Sequence, residues 1–187
     1  MSHFLLGVTG ASGAIYAART LFHLHRLGHA VDLIETSAGK SVADFEGQSK
    51  ALSAADAVWN VDDFFAPCAS GSSPYAGMAV VPCSMGTLGK MANGIADNLL
   101  VRAADVSLKE KRPLVVVPRE MPYSFIHLKN MERLTLAGAV MVSASPGFYA
   151  HPQSIENLVD SVVAKILCHL GVPNNIVPEW GKHAGSF

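Results

Sequence analysis

Charge is scarce in this chain. Of its 187 residues only 16% are Asp, Glu, Lys or Arg, and the formal net charge is −1. So neutral a chain lacks the basic field that nucleic acid or an anionic membrane surface selects, and neither partner is expected. Half of the residues are hydrophobic, more than one copy of a domain this size readily hides, so contacts with further copies are expected to cover the excess. Cysteines number three, Cys68, Cys83 and Cys168. An odd, widely spaced set builds neither a disulfide framework nor a zinc knuckle. Long apolar runs are also missing: none reaches the roughly 18 residues of a spanning helix, and no signal peptide is read ahead of the first strand. A reducing cytoplasm is the expected compartment.

Metal and hydrolase signatures are absent too. His23 and His25 stand two residues apart and His25 and His29 four, so only the second pair shares a helix face, beside the helix terminus at Gly28. A cap or surface role fits that pair better than metal binding. Asp62-Asp63 is not followed by the further aspartate of a D-D-x-x-D magnesium–diphosphate motif. Neither a G-x-S-x-G elbow nor an H-E-x-x-H pair occurs. No metal is expected. Repeats, low-complexity tracts and linkers are lacking as well, so residues 1–187 read as one domain, the Ser/Gly stretch 69–73 being too short and central to divide it.

What is present is an alternation of strand-like and helix-like segments, which predicts an α/β fold around a mostly parallel, doubly wound sheet. Strands are expected at Phe4–Val8, Ala30–Thr36, near Val58, at Gly77–Val81, Pro113–Pro118 and Ala139–Ser143. Helices are expected at Gly13–Leu27, within 38–56, from Thr87 with interruption to Lys111, at Ile126–Ala137, and in a last long stretch capped by Ser154 and ended by Gly171 and Pro173. Ala66 to Pro74 reads as loop.

The first strand runs into Gly7-Val8-Thr9-Gly10-Ala11-Ser12-Gly13, a small-residue turn before a helix. Such a turn lets backbone N–H groups approach a ligand, and the helix N-terminus favours an anion, most often phosphate. The glycines are spaced G-x-x-G-x-x-G, whereas the dinucleotide fingerprint is G-x-G-x-x-G. In a parallel sheet ligands gather outside the carboxyl ends of the strands. Those ends carry Gly10-Ala11-Ser12, Ser37, Ser84-Met85-Gly86-Thr87, Arg119-Glu120 and Tyr149. Small hydroxyl residues with one arginine suit a phosphorylated planar ligand. Arg119 can fork a phosphate and Glu120, in a closed pocket, can move a proton.

Six ordered stretches then carry a family resemblance: Gly10 to Tyr16, Ala69 to Ser72, Pro82 to Leu88, Arg102 to Leu114, Pro118 to Pro122 and Pro146 to Ser154. Together they resemble the UbiX-type flavin prenyltransferases over nearly the whole chain, down to Val177-Pro178-Glu179-Trp180-Gly181. The resemblance implies a Rossmann-like flavoprotein fold, a three-layer sandwich, assembled as a dodecamer with sites at subunit boundaries. It implies transfer of a dimethylallyl group from dimethylallyl monophosphate to N5 and C6 of reduced FMN, giving prenylated FMN for UbiD-type decarboxylases. Carried over motif by motif, Gly10, Ala11, Ser12, Ser37, Ser84, Met85, Gly86, Thr87 and Arg119 would hold FMN. Ala69, Gly71, Lys109, Arg119, Tyr149 and Lys165 would surround the prenyl phosphate, and Trp180, in a tail from about 172, would close the pocket or pack on a neighbouring subunit. Glu120 would be the acid/base, and Lys109, Arg119, Lys165 and Tyr149 would stabilise the leaving phosphate without metal.

One position departs from the family pattern, and one near a family glutamate, Glu46, is left out of the site because the register after Ser37 is not fixed to the residue. Lys165 stands where relatives often have arginine, so a point charge replaces a bidentate fork. Glu46, on the stretch after Ser37, receives no role. Three other readings compete: an FMN-dependent cysteine decarboxylase of the related family, a nicotinamide-dependent oxidoreductase with Glu35 as its ribose acid, and a non-catalytic FMN-binding protein. The decarboxylases carry Pro-Ala-Ser-Ala-Asn-Thr and a catalytic histidine in the first helix; this chain has Pro-Cys-Ser-Met-Gly-Thr, with His23 and His25 late in that helix.

Overall fold

The apolar pattern switches between short continuous runs and one-face helical stripes, and the chain folds accordingly. In the computed structural model, which describes residues 1–178, six strands form one sheet: β1 (His3–Val8), β2 (Ala30–Glu35), β3 (Ala57–Trp59), β4 (Gly77–Cys83), β5 (Leu114–Pro118) and β6 (Val140–Met141). Their order is β3-β2-β1-β4-β5-β6. Every pairing is parallel, because each connection is long enough to carry the chain back to the same edge. The helices are α1 (Ala14–Arg26), α2 (Ser37–Phe45), α3 (Ser49–Leu52), α4 (Met85–Ala92), α5 (Leu99–Lys109), α6 (Phe125–Leu136) and α7 (Ile155–His169).

Side chains alternate across each strand and so feed two cores. Val115 and Val117 of β5 pack with α1 and α7, whereas Leu114 and Val116 pack with α4 and α5. The central strands β4 and β5 are buried at every residue. This is the three-layer sandwich expected. The expected loop after Ala66 does contain an element, a single 3-10 turn at Pro67–Ala69. It forms because Ala66 and Cys68 are buried beneath it. The last strand is shorter than its apolar run, since it lies at the sheet edge with both residues half-buried.

One helix departs from the usual amphipathic economy. Of α6 only Leu134 is buried, and Phe125 (73% exposed), Ile126 (69%) and Leu136 (83%) face outward with Met121 (87%) just before the helix. A hydrophobic surface of that kind is what the low charge content led us to expect.

Helices α1 and α7 are joined by a buried polar cluster as well as by apolar packing. Asp160 accepts from Arg19 Nε (2.8 Å) and Nη2 (2.5 Å) and lies 3.0 Å from His23 Nε2. Burial holds the His23 pKa below its ordinary value, although Asp160 pulls the other way. Asp160→Ala would strand Arg19 and the buried His23 without their acceptor, and should cost about 3 kcal/mol in chemical denaturation. A loss below about 1 kcal/mol would show that the cluster contributes no more than a surface pair.

Candidate active site

Strands β1 and β4 are neighbours, yet the chain leaves β1 toward β2 and β4 toward β5. Their diverging connections open a crevice at the carboxyl ends, where ligands of doubly wound sheets bind. Thr9, 1% exposed, ties the two strand ends together. Its hydroxyl donates to the Pro82 carbonyl (2.8 Å) and accepts from the Ser84 N–H (2.7 Å). Gly10 is required by close approach: a Cβ there would lie 2.6 Å from that of Ala38. Gly13 has φ +109, a conformation that side chains rarely adopt. Ala11 is buried under the turn and Ser12 is exposed at its tip.

The anion at the first turn of α1 is the chain's own. The Glu46 carboxylate accepts from the Gly13 N–H (3.0 Å to each oxygen) and the Ala14 N–H (2.7 Å). Burial pushes the Glu46 pKa up, but the hydrogen bonds from the Ser12 hydroxyl and from Gly13 and Ala14, with the charge of Arg119, outweigh it and hold the carboxyl below its ordinary range. The first turn of α1 thus holds the carboxylate of Glu46, a residue given no role from the sequence. The sequence signal for it was a family glutamate near this position, and its partner stands 33 residues away.

The other strand ends complete the crevice. Ser84 caps α4, its hydroxyl accepting from the Thr87 N–H (3.3 Å) and donating to Thr87 Oγ1 (3.1 Å). Met85 is half-buried, and nothing stands within 4 Å of where a Gly86 Cβ would be. The first turn of α4 thus stays open where that of α1 is filled. Arg119 crosses from β5 to donate from Nε to the Ser12 carbonyl (3.1 Å). Half-buried Glu120 follows, one oxygen accepting from the Met121 N–H (3.0 Å). Ser37 is exposed as the first residue of α2. Thr36, just before it, caps α2, its hydroxyl accepting from the Gly39 N–H (3.0 Å).

The remaining predicted residues lie elsewhere. Lys109 ends α5, which runs back toward the amino ends of the strands before β5 begins. There it pairs with Glu110, beside Gly71, whose carbonyl accepts from Arg112 Nη2 (2.5 Å), and near Ala69, whose carbonyl accepts from Arg102 Nε (3.1 Å). Tyr149 and Lys165 line a third place, a cavity of about 620 Å³ between α7 and the segment Val172–Pro178, with Cys168 in the same wall. One chain therefore brings the glycine turn, Ser84 to Thr87, Arg119 and Glu120 together, and leaves Lys109 and Lys165 on opposite faces of the sheet. Trp180 lies outside the described residues. Among the described residues no group of three or more His, Cys, Asp or Glu could hold a metal ion, and no helix is long and apolar enough to cross a membrane.

A parallel sheet with an open, arginine-lined crevice at its switch point defines a nucleotide- or flavin-binding α/β protein. Residues 1–167 match the Flavoprotein family. Flavin prenyltransferase UbiX of Pseudomonas aeruginosa is 46% identical over 194 residues, 95% of this chain and 93% of that protein. The crystal structure of AnUbiX in complex with FMN and dimethylallyl pyrophosphate superposes with a TM-score of 0.92 at 39% identity, covering 96% of this chain and 97% of that one. A dodecameric FMN-dependent UbiX-like decarboxylase from Escherichia coli gives a TM-score of 0.91 at 40% identity, over 95% of this chain and 98% of that one. The chain belongs to the flavoprotein family and, within it, to the UbiX flavin prenyltransferases.

A carboxyl whose folded pKa is depressed adds stability above its unfolded pKa and loses it as the pH falls. For Glu46 that loss begins near the ordinary value of 4.5 and continues below it. Thermal melts of the wild type between pH 6 and pH 3 should therefore show a steeper acid loss than those of Glu46→Gln (approximate range set by carboxylate titration). Parallel acid profiles would refute the clasp.

Proposed function

We propose that this protein transfers the dimethylallyl group of dimethylallyl monophosphate to N5 and C6 of reduced FMN, releasing prenylated FMN to a UbiD-type decarboxylase. One observation carries the reading: Arg119 is bonded to the Ser12 carbonyl at 3.1 Å, which sets Glu120 at the mouth of the crevice formed by the glycine turn and Ser84 to Thr87. The residues there fit FMN. Gly86 leaves open the space that a side chain would take, and the first turn of α4 with Arg119 offers N–H groups and positive charge to a phosphate. Reduced FMN, when bound, supplies the electron-rich ring atoms that accept the allyl group.

The chain's own groups do the rest. Lys109, Arg119, Lys165 and the Tyr149 hydroxyl take up the negative charge that grows on the leaving phosphate as the allylic C–O bond breaks. Glu120 receives the proton lost on closure at C6. Because Lys109 and Lys165 lie on opposite faces of one chain, a complete set of phosphate ligands takes more than one copy. A dodecamer with sites between subunits, covering the apolar face of α6, supplies them. Segment 172–178 forms one wall of the Tyr149–Lys165 cavity, consistent with a tail that closes the site.

The first helix argues against the cysteine decarboxylase reading. His23 is 2% exposed and turned to Asp160, and His25 is bonded to Asp56 (2.9 Å), so neither reaches the crevice.

Anaerobic incubation with reduced FMN and dimethylallyl monophosphate should yield a flavin heavier by one prenyl unit in mass spectrometry, with or without a metal chelator. An unchanged flavin mass would leave an FMN-binding protein without this activity. Glu120→Gln should retain FMN and accumulate flavin alkylated at N5 but open at C6, with turnover reduced about 100-fold, as expected for loss of a general base. Normal turnover by that variant would make Glu120 structural.

A further inference from the structure

The crossover from β3 to β4, residues 60–76, carries Ala69 and Gly71 yet has no α-helix to hold it. What fixes it is a buried carboxylate on another strand. Asp32, on β2 and 3% exposed, accepts on one oxygen from both Trp59 Nε1 (2.8 Å) and the Tyr75 hydroxyl (2.5 Å). Its other oxygen lies 2.8 Å from His3 Nε2, and the His3 and Tyr75 rings pack 4.8 Å apart. Trp59 is the last residue before the crossover and Tyr75 is nearly its last, so one oxygen atom ties both of its ends. Burial, and then the bond to Asp32, push the Tyr75 pKa up, which keeps its hydroxyl a donor.

The middle of the crossover is left to be positioned by those ties and by the stretch around the end of α5. Arg102 on α5 and Arg112 just after it hold the carbonyls of Ala69 and Gly71 (3.1 and 2.5 Å), and a Cβ on Gly71 would meet the Glu110 carboxylate first and then Lys109 Nζ at 2.9 Å. The backbone at Gly71 therefore sits against the Lys109–Glu110 pair. A shift of the crossover moves the backbone that flanks the ammonium.

We propose that Asp32 is a positioning residue for the prenyl-phosphate site: by fastening both ends of the 60–76 crossover it sets Ala69–Gly71 against Lys109. This rests on the reading in which Ala69, Gly71 and Lys109 hold the prenyl phosphate. Asp32 touches no reactant. The pairing places no demand on the FMN crevice, which lies at the carboxyl ends of β1 and β4, so the effect belongs to donor binding and not to flavin binding.

Three variants test it, each assayed for FMN affinity, assembly size, backbone hydrogen exchange over 69–76, and KM and kcat with dimethylallyl monophosphate. Asp32→Asn leaves one acceptor oxygen for two or more donors and should raise KM about tenfold with kcat within about twofold, the range expected for lost bonds to a buried charge. Tyr75→Phe frees one end only and should raise KM about threefold, with faster exchange over 69–76. His3→Asn removes a third partner, which meets the Tyr75 end only through ring packing, and should raise KM and that exchange less than Tyr75→Phe does. Unchanged KM in folded Asp32→Asn, or in Tyr75→Phe if Asp32→Asn does not fold, would overturn the proposal, as would an equal rise in His3→Asn. If the wild type prenylates no flavin, the assigned function fails, and the exchange rates alone still decide whether Asp32 fastens the crossover: equal rates in Tyr75→Phe and wild type would refute it.

Discussion

The crevice depends on one carboxylate bound to the end of one helix. Glu46 takes the N–H groups of Gly13 and Ala14, so the glycine turn keeps its shape without needing an external anion. An exposed helix N-terminus with a flexible glycine turn before it would bind whichever anion is nearest. Filled by Glu46, it becomes a wall. Negative charge beside Ser12 also sets the balance of the crevice, since Arg119 then faces a carboxylate on one side and has its Nε on the Ser12 carbonyl (3.1 Å). The first turn of α4 is bound instead by its own cap, the Ser84 hydroxyl.

The cationic residues follow a different logic. A parallel sheet has two edges and two faces, and a crossover helix must run antiparallel to its strands. Lys109 at the end of α5 is thereby carried to the amino ends of the strands, away from the crevice, and Lys165 on α7 to the opposite face. Neither position is an accident of local conformation; both follow from connectivity. Within one chain the two cations therefore stay apart, while exposed apolar residues of α6 leave a hydrophobic face.

Buried polar groups hold the remaining connections in place. Thr9 bridges the ends of β1 and β4, Asp160 joins α1 to α7, and Asp32 gathers the two ends of the helix-free crossover. Each is a fully or largely buried group with several partners, and such groups specify geometry where apolar packing alone would allow sliding.

Much of this was legible in the amino-acid order. Alternating periodicity located six strands; the small-residue turn, the Ser154 cap and the Arg119-Glu120 pair were read from neighbours within a few residues, because their physics is local. The motifs also carried the family and hence the flavin. Glu46, Thr9, Thr36 and Asp32 were not read as site or hub residues. The partners of Glu46, Thr9 and Asp32 stand 27 to 75 residues away, and nothing in a lone glutamate, threonine or aspartate announces which strand will lie beside it. The sequence by itself determined the elements and the chemistry available; tertiary structure alone decided which charges meet, since strand order brings distant residues to one edge and parts near ones to opposite faces.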